Sequence, residues 1–150
     1  MRFLLLLAAG LLVACAPAPV RVEQQKSDPA ELSWYGPAVE QLKALNRDAL
    51  AAFQKRDQDR AAELIQKAQP IANRLLGVNQ PNVAATEAAS DLDDLYGRML
   101  FSNQHYGWAR LQFQKNAVRW RIWKPQTEDT ERRRKAAEAA IAECDRHMME

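Results

Sequence analysis

The chain has 150 residues, of which 47% are hydrophobic, 27% charged and 7% aromatic, and this length favours one domain of modest size. Its five glycines are scattered, which excludes a glycine-rich phosphate-binding loop, and its 21 Lys and Arg nearly balance 19 Asp and Glu, which argues against a nucleic-acid partner. Two cysteines cannot build a disulfide framework, while 26 alanines against 14 Val, Ile and Thr residues predict an all-α fold.

The first fifteen residues have the layout of a secretory signal. Met1 and Arg2 supply a positive start, and an apolar run follows over residues 3–13. At about 1.5 Å per residue, this run is too short to span a bilayer of roughly 30 Å. A buried N-terminal helix is the alternative, but such a helix would carry polar residues at helical spacing, and this run has none.

The end of this run resembles the lipobox of bacterial lipoproteins, through the residues Leu12, Val13, Ala14 and Cys15. The resemblance implies that residues 1–14 are a cleaved signal peptide and that Cys15 carries a lipid that contains palmitate. A thiolate suits this role because it can be alkylated to a thioether. Since Ala16 rather than Asp follows, the family's sorting habit implies an outer-membrane location facing the periplasm in a host with two membranes.

A tether and a helical domain are expected after the anchor. Residues 15–35 begin with alternating Ala and Pro and continue with polar residues, which predicts a flexible lipidated tether. Residues 36–150 then show apolar residues at helical spacing in five successive segments. Pro37 is expected at the start of the first helix, and breaks between helices are expected at residues 56–59, 79–82 and 102–104. Pro125 is expected to end the fourth helix, and Thr127 to cap the fifth. A kink is expected at Pro70 within the second helix.

Two of the predicted hairpins resemble each other. In the second, Gly97, Tyr106, Ala109 and Phe113 are spaced as in the tetratricopeptide hairpin, where small residues lie at the helix crossing. The first places Ala61 where the second has Ala109, 48 residues later rather than the 34 of that family. The chain is therefore expected to form about five antiparallel helices, arranged as a tetratricopeptide-like hairpin stack or as a generic helical bundle.

Few residues could perform chemistry, and none forms a recognisable motif. His105 lies in a predicted turn without a nearby Ser, Cys or acidic partner. Cys144, His147 and Met148 could share a helix face and hold a soft metal, but a helix end whose dipole favours His explains them equally. We therefore expect no enzymatic activity, no catalytic residue, no cofactor and no metal site.

Acidic residues and a tryptophan-rich segment complete the candidates. The aspartates Asp91, Asp93 and Asp94 are expected to diverge as solvated charges of a first helical turn. Interleaved Trp and cations suit a membrane interface or a protein-binding hot spot. The candidate interaction surface comprises Tyr106, Trp108, Arg119, Trp120, Arg121, Trp123 and Lys124. The alternative places Trp120 and Trp123 in the core, with the arginines extending outward.

These features together favour a binding protein of the cell envelope. We expect an extracytoplasmic helical lipoprotein that is anchored to the membrane through the lipid on Cys15 and that binds a protein partner or helps to assemble an envelope complex. A helical bundle that binds a small molecule or a metal is the first alternative. An envelope hydrolase is the second, and it would require a specific acid or His105 as a catalytic group.

Overall fold

The computed structural model describes Asp28 and residues 31–149. The five helices are α1 (Tyr35–Gln54), α2 (Gln58–Leu76), α3 (Val83–Ser102), α4 (Tyr106–Ile122) and α5 (Glu128–Met149). These described residues contain no strand, and the expected all-α fold of five helices is confirmed. Within residues 31–149, no helix combines the length and apolarity needed to cross a bilayer. The predicted signal peptide and Cys15 lie outside the described residues.

The helices pack in the order in which they follow one another along the chain. α1 packs against α2, α3 packs against both, α4 packs against α3, and α5 packs against α4. Connections of three to six residues join consecutive helices, which makes neighbours antiparallel. In the described part of the chain, no substantial contact joins α1 or α2 to α4 or α5. The molecule is therefore a sequential stack with α3 at its centre.

The α1–α2 hairpin and the α3–α4 hairpin close with the same type of turn. Arg56 and Gln104 are the middle residues of the turns, and both adopt a left-handed backbone with φ of 63°. The N–H of Asp57 donates to the carbonyl of Ala52 at 3.0 Å, and the N–H 48 residues later donates to the carbonyl of Leu100 at 2.9 Å. The similarity between the hairpins thus extends from the sequence to the hydrogen bonds of their turns.

Side-chain caps begin the helices α2, α3 and α5. The Thr127 hydroxyl accepts the N–H of Thr130 at 3.2 Å, which confirms the predicted cap of α5. Asp57 caps α2 and Asn82 caps α3 in the same manner. α2 continues through Pro70, so the proline lies inside one helix rather than at its end.

The domain begins before residue 36. Tyr35 is fully buried, and its hydroxyl accepts the N–H of Asn82 at 3.1 Å. Leu32 and Trp34 pack against the same core, and the Arg74 guanidinium lies 3.9 Å from the centre of the Trp34 ring. The predicted boundary between tether and domain is therefore too late, because these aromatic residues already bury their side chains on the first hairpin.

The core has two parts. Buried residues of α1, α2 and α3 form the larger cluster, and Ala109, Phe113 and Cys144 form a smaller one between α4 and α5. Gly97 brings α3 close to α4, because a Cβ at this position would lie 2.6 Å from Cε1 of Phe113. Cys144 is fully buried, as expected for the thiol of the last helix.

Candidate functional site

The structure divides the seven residues of the candidate interaction surface between core and solvent. Trp120 has no exposed surface, and its indole N–H donates to the Ser90 hydroxyl at 2.8 Å. Arg119 is mostly buried and its guanidinium donates to Asp93 at 2.8 Å. The expectation that Trp120 and Arg119 form part of an interaction surface is wrong, because helical periodicity turns Trp120 toward α3, where Asp93 also engages Arg119.

The other five residues do not form one surface either. Trp123 is half-buried, with its ring 6.1 Å edge-on from Trp120, and Tyr106 is half-buried under a stacked His147 ring at 4.8 Å. The remaining three members, Trp108, Arg121 and Lys124, are exposed. The alternative interpretation is therefore confirmed for Trp120, whereas Trp108 at 65% exposure is free to meet a partner.

Asp93 anchors a polar network between α3 and α4. Its carboxylate accepts hydrogen bonds from Lys115 at 2.7 Å and Arg119 at 2.8 Å. Beside it, the Asn116 amide donates to the carbonyl of Ser90 at 2.9 Å. The network gives the buried guanidinium a charged partner, which such a group requires. It joins the two helices rather than forming an open site.

The neighbouring aspartates point elsewhere, as expected. Asp91 pairs with Arg133 of α5 at 2.8 Å, and Asp94 pairs with Arg98 at 2.7 Å. The expectation of first-turn charges is wrong for all three, because α3 begins at Val83 and its first turn holds no acidic residue; Asp93 is in addition buried rather than solvated. The three carboxylates do not converge on a catalytic or metal-binding position.

No described group of three or more His, Cys, Asp or Glu side chains is arranged to hold a metal. Cys144 is buried beside Phe113, His147 stacks on Tyr106, and Met148 is exposed. Burial raises the pKa of the Cys144 thiol, and the charge of the adjacent Asp145 adds to the shift. His105 is exposed at the start of α4, where its side chain makes no capping hydrogen bond.

A groove lies between α1 and α3. It has a volume of about 610 Å³. Its charged walls differ in sign, because Lys43 and Arg47 lie on α1 and an acidic row lies on α3. The lining residues are Lys43, Asn46, Arg47, Leu50 and Gln54 of α1, with Glu87, Ala88, Asp91, Asp94, Leu95 and Arg98 of α3.

Asn46 lies at the base of this groove with an unsatisfied acceptor. The side chain is only 8% exposed, and its amide donates to the carbonyl of Ala88 at 2.7 Å. Its Oδ1 atom has no hydrogen-bond partner among the described residues. A buried amide oxygen without a donor costs free energy, so Asn46 is a locally unfavourable position in the α1–α3 contact.

A second groove, between α3 and α5, continues the first. It has a volume of about 280 Å³ and shares Asp94 and Arg98 with the α1–α3 groove. Phe101, Ala140 and Glu143 also line it. The two cavities therefore meet at the Asp94–Arg98 ion pair and follow one face of the stack from α1 to α5.

The α1–α3 groove was not among the sequence-predicted sites. The available signal was Asn46, a polar residue on the helical face that also carries Leu42 and Ala49, both fully buried. Such a residue indicates a buried polar contact, but the sequence does not show which helix lies opposite. Comparisons with protein-family models, curated proteins and solved structures found no match.

Proposed function

We propose that the chain is a membrane-anchored, extracytoplasmic helical lipoprotein whose α1–α3 groove binds a segment of another protein. The observation that carries this proposal is the charged groove of about 610 Å³ between α1 and α3. The function is binding rather than catalysis.

The charges of the groove favour a segment of mixed charge. Lys43 and Arg47 are the cations along α1, and Asp91 and Asp94 are carboxylates along α3 whose present partners, Arg133 and Arg98, lie at or near the surface. Leu50, which is exposed, adds an apolar contact. A partner segment with acidic and basic side chains on opposite sides would pair with both walls, and the resulting complementarity would give orientation as well as affinity.

Photo-crosslinking in intact cells tests the groove. A photoreactive residue replaces Leu50 in the groove or, as a matched control, Gln66 on the exposed outer side of α2. We expect one protein of defined mass to crosslink through position 50 and not through position 66. Arg47→Glu should abolish the crosslink, whereas Lys67→Glu should leave it intact. Equal crosslinked products from both positions, or no crosslinked protein from position 50, would refute the binding of a partner in the groove.

The anchor is tested separately. The lipobox resemblance of residues 12–15 supports lipid attachment at Cys15. Cys15→Ser should move the protein from the membrane fraction to the soluble fraction and remove the acyl mass from the mature N-terminus. Retention of the variant in the membrane, together with an unmodified N-terminus in the parent protein, would contradict the anchor without affecting the groove.

A further inference from the structure

The outer face of α4 presents a row of exposed apolar side chains. Trp108, Leu111, Val118 and Ile122, which we call the outer stripe, are between 47% and 71% exposed. Their spacing places them along one side of the helix over about 21 Å. The opposite side of α4 holds buried residues such as Phe113 and Trp120. α4 is therefore apolar on two sides, only one of which is used by the fold.

The surroundings of the outer stripe are cationic. Residues 103–127 contain five Lys and Arg residues and no Asp or Glu. This segment therefore has a charge of +5, whereas the whole chain has +2 and the remainder −3. Lys115, Arg121 and Lys124 are the exposed cations among them; Lys115 pairs with Asp93, Arg121 lies 3.5 Å from Glu138, and Lys124 has no ion-pair partner among the described residues. Asp93, Glu138 and Asp145 of the neighbouring helices pair with four of the five cations, so an excess of two positive charges remains beside the outer stripe.

We propose that the outer stripe of α4 docks on the surface of an anionic phospholipid bilayer. Apolar side chains with a tryptophan and flanking cations are the composition of helices that lie in the membrane interface. In this arrangement the stripe enters the boundary between headgroups and acyl chains, and the exposed cations meet lipid phosphates. The outer stripe shares no residue with the α1–α3 groove, so both surfaces can be occupied together.

Charge argues against a second copy of the chain as the occupant. Symmetric pairing of two outer stripes would bring two segments of charge +5 together. An anionic lipid surface instead offers many negative charges and an apolar layer in one structure.

The fluorescence of Trp108 reports this docking in the full chain. Trp120 is buried, and Trp34 and Trp123 are half-buried, so Trp108 is the tryptophan most open to solvent. We expect its emission to shift to shorter wavelength with vesicles of phosphatidylcholine and phosphatidylglycerol, but not with phosphatidylcholine alone. Trp108→Phe should remove the shift, which assigns it. Added salt should weaken it, because the contact is partly electrostatic.

Two variants and one control separate docking from general insertion of the chain. Val118→Ser with Ile122→Ser should abolish the shift, and both side chains are exposed enough to be replaced without loss of folding. Arg121→Glu with Lys124→Glu should raise the lipid concentration at half-maximal shift at least about tenfold. Val83→Ser, the same change at an exposed valine at the start of α3, should change nothing.

Four outcomes would overturn the proposal. They are no shift with anionic vesicles, an equal shift with neutral vesicles, a shift that survives the double serine variant, and a shift without lipid that grows with protein concentration. The last would indicate a second copy as the occupant. The vesicle measurements use the chain with Cys15→Ser, so none of these outcomes depends on the groove or on lipid attachment, and a failure here leaves the proposed function standing.

Discussion

At the level of single residues, the contact between the second pair of helices depends on Gly97. A Cβ there would meet the Phe113 ring at 2.6 Å, and that ring is itself buried. The corresponding positions 48 residues earlier hold Ala49 and Ile65, which are also buried. Compared with the first hairpin, the second has a smaller residue on its first helix (Gly97 for Ala49) and a bulkier one on its second helix (Phe113 for Ile65). The same total volume is divided differently in the two hairpins.

Gly97→Ala is expected to lower the free energy of unfolding by about 1–3 kcal/mol, because overpacking outweighs the better helix propensity of alanine. Adding Phe113→Ile should recover part of this loss, since the first hairpin has that pair. Urea unfolding measures both effects. Gly36→Ala is the control, because a Cβ there meets nothing within 4 Å, and it should not destabilise. If the changes in the free energy of unfolding caused by Gly97→Ala and Phe113→Ile simply add in the double variant, the contact between the two residues is contradicted.

Asp93 and Asp94 are adjacent but should differ in their contribution to stability. Asp93→Ala removes the carboxylate beside the mostly buried Arg119 and should cost about 2–4 kcal/mol in the free energy of unfolding. Asp94→Ala breaks an exposed pair with Arg98 and should change it by no more than about 0.5 kcal/mol. Both variants replace a helical aspartate by alanine, so propensity cancels. Equal losses would show that the buried network does not stabilise the α3–α4 contact.

Stability should decline in alkaline solution. Burial raises the pKa of the Cys144 thiol above its usual 9.0, and burial likewise raises the pKa of Tyr35 above 10.0. Because both pKa values are higher in the folded state, their contribution is complete below the unfolded values and is lost as the pH rises through the folded ones. Unfolding curves at about pH 8 and about pH 10 should show this loss. In Cys144→Ala, the free energy of unfolding should begin to fall at a higher pH, closer to the range in which Tyr35 ionises. An unchanged starting pH would contradict the role of Cys144.

At the level of elements, the two hairpin turns give a matched pair of predictions. Arg56 and Gln104 both occupy a left-handed backbone, which is unfavourable for residues with a Cβ. Replacing either by Gly should raise the free energy of unfolding by up to about 1 kcal/mol, by equal amounts in the two turns. Arg60→Gly, inside α2, should instead lower it. Thermal unfolding checks the series, and a gain at only one turn would contradict their equivalence.

The helices were predictable from sequence because their ends carry clear signals. Asp57, Asn82 and Thr127 cap the helices that follow them, and each lies at a predicted break or cap. The orientation of α4 was not predictable, since apolar residues at helical spacing occur on both its sides. Trp108 and Trp120 are equally apolar in sequence, yet one is 65% exposed and the other fully buried. Only packing against α3 decides between them.

At the level of the whole molecule, five short-linked helices were predictable, but the choice between stack and bundle was not. Periodicity identifies the buried face of each helix without showing which helix it meets. The α1–α3 groove exists because α5 packs against α4 rather than covering α1. In a closed bundle, α1 and α5 would instead be neighbours, and Asn46 would have a helix above it. The proposed function therefore depends on the open stack.

The separation of α1 and α5 tests the open stack most directly. Spin labels are placed at Leu50→Cys and Ala140→Cys, on the groove-facing sides of α1 and α5, in a chain with Cys15→Ser and Cys144→Ala. Leu50→Cys with Arg98→Cys is the control pair across the α1–α3 groove. With α3 between them, the α1 and α5 axes should lie about 20 Å apart, against about 10 Å for adjacent helices. Dipolar spectroscopy should therefore give a clearly longer distance for the first pair. Equal short distances for both pairs would show a closed bundle and contradict the groove.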